Sequence, residues 1–214
     1  MTFGVNAPNG LVPVNTGNGN TWNGQTNIYP LASGYGTNIF TGDPVTLGTA
    51  GTVIVAVASQ SVLGVFWGVE YQTNTNKATI RFPYWPASTV TVSGTPINAF
   101  VIDDPQVRFT VQEATATTGA SGTPLTQAAV GNNANIVLST GNTNSGQSRA
   151  YMDNSTTATT LLGMVKIVAL DPGITLGVAS TAGTAGGQQT IGTAFQNWVV
   201  TIDNSVFKAG STRP

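Results

Sequence analysis

The sequence predicts an all-β fold, a barrel or sandwich of antiparallel strands with an extended N-terminal arm. Two observations carry this: apolar and polar residues alternate with period two from Phe40 onward, and no stretch shows a long, capped helical stripe. A third is the abundance of Gly, Asn and Thr between the alternating runs, the residues from which turns are made.

Taken in order, residues 1–37 differ in kind from the rest. They are rich in Gly, Asn and Thr, carry Pro8, Pro13 and Pro30, and hold Phe3, Leu11, Trp22, Tyr29 and Tyr35 only at wide intervals. Such a segment cannot bury itself, so it reads as an arm whose aromatic anchors dock on its own domain or on a neighbour. Residues 38–214 form the β-rich domain. Val45–Leu47 and Thr52–Ala58 open it as strands. Ser61–Tyr71 gives the clearest alternation, with Leu63, Val65, Trp67, Val69 and Tyr71 on one face. After the polar turn at 73–76, Lys77–Trp85 alternates again, placing Ile80 and Phe82 inward, and the two runs read as a hairpin at the centre of the fold. Ile97–Ile102 is more continuously apolar and should lie deeper. Val107, Phe109 and Val111 point inward from Gln106–Gln112. Thr123–Val130, with Pro124 near its start, is the one candidate for a short helix. Leu161–Leu170 reads as a strand from its β-branched content and the following Asp171-Pro172-Gly173. Asn197–Ile202 closes the series, with Trp198, Val200 and Ile202 on one face. The stretches 114–123 and 181–190 are small-residue loops.

Composition narrows function. The 214 residues contain no histidine and no cysteine, only 7% are charged, and the formal net charge is −1. Histidine and cysteine supply most nucleophile–base pairs and most transition-metal ligands, so no enzymatic activity and no cofactor or metal are expected. The seven Lys and Arg are scattered singly at 77, 81, 108, 149, 166, 208 and 213, which gives no basic stripe for nucleic acid. No apolar run approaches the roughly 20 residues of a membrane helix, and the opening MTFGVNAPNG lacks the pattern of a secretory leader. Little self-repulsion opposes close association of copies.

The adjacent acids Asp103-Asp104, and the pairs Asp43-Pro44, Asp104-Pro105 and Asp171-Pro172, stand at strand ends where Asp and Pro build turns; calcium is the minority reading. The clusters Gly17-Asn18-Gly19 and Gly34-Tyr35-Gly36 lack the flanking pattern of phosphate loops. Trp22, Tyr35, Trp67, Tyr84, Trp85 and Trp198 could form a stacking platform for sugars or anchors for protein contact, although about half of such aromatics are normally core. Trp85 is the favoured surface residue, because it lies opposite Ile80, Phe82 and Tyr84 and abuts Pro86.

Several strings occur in order: Trp22-Asn23-Gly24-Gln25-Thr26, Thr41-Gly42-Asp43-Pro44-Val45, Tyr84-Trp85-Pro86-Ala87-Ser88-Thr89 and Ala99-Phe100-Val101-Ile102-Asp103-Asp104-Pro105, with Ile202-Asp203-Asn204 and Phe207 near the end. Together they resemble a family of tailed-bacteriophage virion structural proteins encoded beside the major capsid protein. The resemblance covers most of the chain and is poorest over 170–195. It implies a non-enzymatic cement or decoration protein on the outer capsid surface of the virion. Its partners would be the major capsid protein and copies of itself, most simply as a homotrimer. Trp22, Gln25, Tyr35, Trp85 and Pro86 are the candidate interface residues. A carbohydrate-binding surface module, with a glycan as partner, is the principal rival; a minor head or tail role and, more distantly, a glycan hydrolase are the others. Neither nucleic acid nor membrane is expected as a partner.

Overall fold

The computed structural model describes residues 5–115, 119–120, 122–159, 163–171 and 194–207. Phe3, Pro172, the loop at 181–190, the end of the chain beyond Phe207 and part of the 161–170 stretch lie outside them. The fold is all-β, with a nearly closed barrel-like sheet and further antiparallel sheets. No α-helix occurs among the described residues; a single 3-10 turn, Gln127–Ala129, stands where the sequence allowed a short helix.

One sheet has six strands: β2 (Asn27–Pro30), β4 (Pro44–Leu47), β5 (Val53–Val55), β6 (Gly64–Gln72), β7 (Thr79–Phe82) and β9 (Asn98–Ile102). Its longest member, β6, pairs with β9 along one side and with β4 and then β7 along the other. The expected hairpin is therefore present, with Val69 opposite Phe82 and Gln72 opposite Thr79. A second, seven-stranded sheet contains β1 (Val12–Thr16), β10 (Val107–Ala114), β11 (Asn133–Ala134), β12 (Ile136–Val137), β13 (Tyr151–Asp153), β14 (Val165–Leu170) and β15 (Asn197–Ile202). Pairing in it is antiparallel except for the short join of β10 to β13. Two short strands, β3 (Ile39–Phe40) and β8 (Tyr84–Trp85), pair with each other beside the six-stranded sheet.

Two hydrophobic clusters fill the interior. The first gathers Val107, Phe109, Val111, Trp198, Val200 and Ile202, the inward faces that alternation assigned to β10 and β15. The second gathers Ile39, Phe66, Val69, Tyr71, Trp85 and Val101. Strand β6 feeds both: Val62, just before it, and Val65 enter the first cluster, whereas Leu63, Phe66, Val69 and Tyr71 enter the second.

This divides the single face expected for Leu63, Val65, Trp67, Val69 and Tyr71. A bulge separates Val65 and Trp67 from Val69 and Tyr71: Phe66 pairs with Val101 and Gly68 with Phe100, so Trp67 is an extra residue on β6 and the phase of alternation shifts there, while Leu63 stands before the strand and enters the second cluster. Gly68 makes the bulge possible, because its φ of +152° lies where side chains are strained. Trp67 turns instead to the first cluster, edge-on to Trp22 with ring centroids 4.9 Å apart. Phe82, expected inward, keeps 37% of its surface exposed at the end of β7.

The arm expected over residues 1–37 is also not what the described residues show. Residues 12–16 pair with β10 and residues 27–30 with β9, and Leu11 and Leu31 are buried in the two clusters. Edge positions in two sheets supply hydrogen-bond partners that an isolated Gly- and Asn-rich segment lacks, and they explain how so apolar-poor a stretch is ordered.

Candidate functional site

The sequence-chosen residues divide into two places. Tyr35, Trp85 and Pro86 come together beside β3. The Trp85 indole Nε1–H donates to the Tyr35 carbonyl at 3.1 Å, the Tyr35 hydroxyl accepts from the Val55 N–H at 3.1 Å, and the Pro86 carbonyl accepts from the Thr89 hydroxyl. Trp85 is fully buried against Tyr71 and is a core residue, so its expected surface role is corrected. Its side of β8 is covered because β8 leaves the six-stranded sheet to pair with β3. Trp22 and Gln25 lie elsewhere, Trp22 half-buried on Trp67 and Gln25 exposed. With Trp198 also fully buried, the aromatics do not form one stacking platform.

Four of the acidic residues, Asp43, Asp103, Asp104 and Glu113, brace turns and strand junctions. Asp104 accepts the Gln106 N–H at 2.8 Å, as a turn carboxylate should. Asp103 accepts from both Asn27 Nδ2 and the Tyr29 hydroxyl, tying β2 to the end of β9. Burial, with help from Asp103, pushes the Tyr29 phenol well above its ordinary pKa. Asp43 is buried, accepting the Phe40 N–H at 2.8 Å and the Ser148 hydroxyl, and so pins the turn between β3 and β4 to the loop at 148. Glu113, wholly buried where β10 passes from β15 to β13, accepts the Leu125 N–H at 3.0 Å. The Trp198 indole N–H lies near enough to favour the charged carboxyl, yet neither it nor Oε1 makes a well-formed hydrogen bond.

Burial pushes the Asp43 carboxyl up to about 6, against the pull of Ser148 and Phe40; it pushes Glu113 up to about 7, against Leu125, Trp198 and Gln196. Both values exceed the ordinary 3.8 and 4.5, so the folded state binds these protons more tightly than the unfolded chain. Their contribution to stability therefore falls as pH rises from about 4 to about 7. Thermal melting should show a Tm that declines across this interval, and Glu113→Gln should flatten the part of the decline above about pH 5.

The described residues also enclose an open cleft of about 670 Å³, which the sequence did not single out. One wall is the segment Val5–Asn9, strapped down by Gln112: the Ala7 N–H donates to its Oε1 and its Nε2 donates to the Val5 carbonyl, both at 2.9 Å. Asn6 Nδ2 adds a bond to the Gly119 carbonyl at 3.0 Å. Another wall is the tight turn 142–147, closed by the Asn142 N–H donating to the Gln147 carbonyl and the Gly146 N–H donating to the Asn142 carbonyl, with Gly141 and Gly146 flush against Phe40 and Pro83. Ser148, Arg149 and Tyr151 line the space between. No local sequence pattern could have revealed this site, because its walls are brought together from residues more than a hundred positions apart.

Elsewhere the surface carries apolar side chains on the edge strands: Val12 and Val14 on β1 and Ile28 on β2, the last 60% exposed. No family model, curated protein or solved structure matches the chain.

Proposed function

We propose that this chain is a non-enzymatic virion structural protein, a cement or decoration protein that binds the major capsid protein on the outer surface of a phage head as a homotrimer. The observation that carries the reading is the placement of exposed Val12, Val14 and Ile28 on the edge strands β1 and β2, in a chain of net charge −1. Edge strands with exposed apolar side chains are surfaces that associate unless charge keeps copies apart. The resemblance of the ordered strings to phage structural proteins supports the choice of partner, and a trimer matches the threefold positions of an icosahedral shell. The body suits such a role because its buried carboxyls serve turns and strand junctions.

Removing residues 2–37 would strip two strands and two core leucines, so the test uses point changes. The combined Val14→Asp and Ile28→Asp variant should fold as the unaltered protein does, since both side chains are exposed, while its occupancy on purified heads falls by about tenfold or more. Absence of the unaltered protein from purified heads, or a monomer in solution by light scattering, would overturn the proposal.

A further inference from the structure

We infer that the cleft between the Val5–Asn9 strap and the 142–147 turn binds a saccharide bearing a carboxylate. This inference stands independently of the capsid reading.

The chemistry of the lining selects the ligand class. Asn9 and Gln147 bring side-chain amides whose donor and acceptor ends are both open, Asn6 keeps its Oδ1 and Asn142 its Nδ2 for a ligand, and Ser139 and Ser145 bring hydroxyls. Paired donors and acceptors of this kind match the adjacent hydroxyls of a sugar, which both give and accept hydrogen bonds. Among the described residues no carboxylate lines the cleft, so a cation finds no counter-charge there, and no aliphatic side chain larger than Pro8 lines it to receive an apolar ligand. The volume of about 670 Å³ falls within the range of small-molecule sites.

The charge comes from Arg149. It is exposed at the cleft and makes no ion pair among the described residues. A guanidinium fork is matched to a carboxylate, with which it forms two parallel hydrogen bonds. One cation fixes a single acidic group and is too few for a phosphodiester chain, whose binding scales with the number of phosphates neutralised.

The walls are also held in place before a ligand arrives. The Gln112 side chain spends both ends of its amide on the strap, and the 142–147 turn is braced by Asn142 Oδ1, which accepts the Asn144 N–H at 2.9 Å. Walls fixed in this way cost little further ordering on binding. Tyr151 is mostly covered and offers no stacking face, so recognition rests on hydrogen bonds and on Arg149.

Calorimetric titration with trigalacturonate and with sialyllactose tests the assignment, using inorganic phosphate and the fully methyl-esterified trigalacturonate as comparisons. At least one of the two acidic sugars should bind with a dissociation constant of about 1 mM or lower. Arg149→Ala should weaken that binding by about tenfold or more, and Gln147→Ala, which removes an exposed amide, by about threefold, with Tm unchanged in both. The methyl ester should bind more weakly than the acid and be insensitive to Arg149→Ala. Failure of both acidic sugars to bind, affinity unaffected by Arg149→Ala, or phosphate binding as tightly as the sugar would overturn the inference. Occupancy on heads is read separately, so either proposal can fail without the other.

Discussion

Trp85→Ala is expected to destabilise the protein by about 3–5 kcal/mol, the range for removing a large aromatic from a packed interior. The indole is fully buried in the second cluster, edge-on to Tyr71 with centroids 5.4 Å apart. Its loss opens a cavity that the neighbouring strands β3 and β6 cannot collapse into without breaking their own pairing. It also leaves the Tyr35 carbonyl with only the Ser88 N–H as a donor. In a domain of this size the change corresponds to a Tm lower by roughly 10 °C. Trp85→Phe should cost less, since it keeps most of the volume and forfeits chiefly the Nε1 hydrogen bond, about 1 kcal/mol. An exposed Trp85 would move stability by no more than about 0.5 kcal/mol, so denaturant unfolding of these two variants decides between core and surface.

Gly64→Ala should be nearly as damaging, at about 3 kcal/mol, although it adds a single methyl group. A Cβ at this position would lie 2.3 Å from the Ile102 carbonyl oxygen and 2.9 Å from its carbon. Those atoms belong to the backbone of β9 and cannot rotate aside as a side chain could. Relief requires β6 and β9 to separate at the Val65–Ile102 pair, whose side chains are both buried in the first cluster. Denaturant unfolding should show a lower midpoint, and loss of amide protection should concentrate at Val65 and Ile102. An unchanged midpoint would mean that β9 can yield, contrary to its burial.

Most of the long strands were legible in the sequence because alternation reports burial on one side. Val107, Phe109 and Val111, and Trp198, Val200 and Ile202, fall where period two puts them, each set on one wall of the first cluster. Alternation misled where a strand is buried on both sides or changes phase. Val65 and Trp67 share parity with Val69, yet the bulge at Trp67 and Gly68 sends them to the other cluster. The short strands β1, β2, β11, β12 and β13 were not legible, because a run such as Asn27–Pro30 has no apolar period of its own and becomes a strand only through its partner β9. Trp85 was misplaced for a related reason: its parity opposite to Ile80 and Phe82 means an outward side chain only in one continuous strand, whereas Pro83 separates β7 from β8 and the chain changes sheets there. The cleft was invisible for lack of any local signal; Arg149 is one cation in a run of Ser, Asn and Gly, and only the fold brings Asn6 and Gly119 to it.

Because β6 contributes side chains to both clusters, the molecule has no plane along which it can be parted without tearing that strand from one of them. Strand β6, Gly64–Gln72, is hydrogen-bonded to β4, β7 and β9 in one sheet while Val65 and Trp67 pack into the cluster beneath the other. The two clusters are therefore expected to unfold in a single transition, since loss of one removes packing from the strand that holds the other.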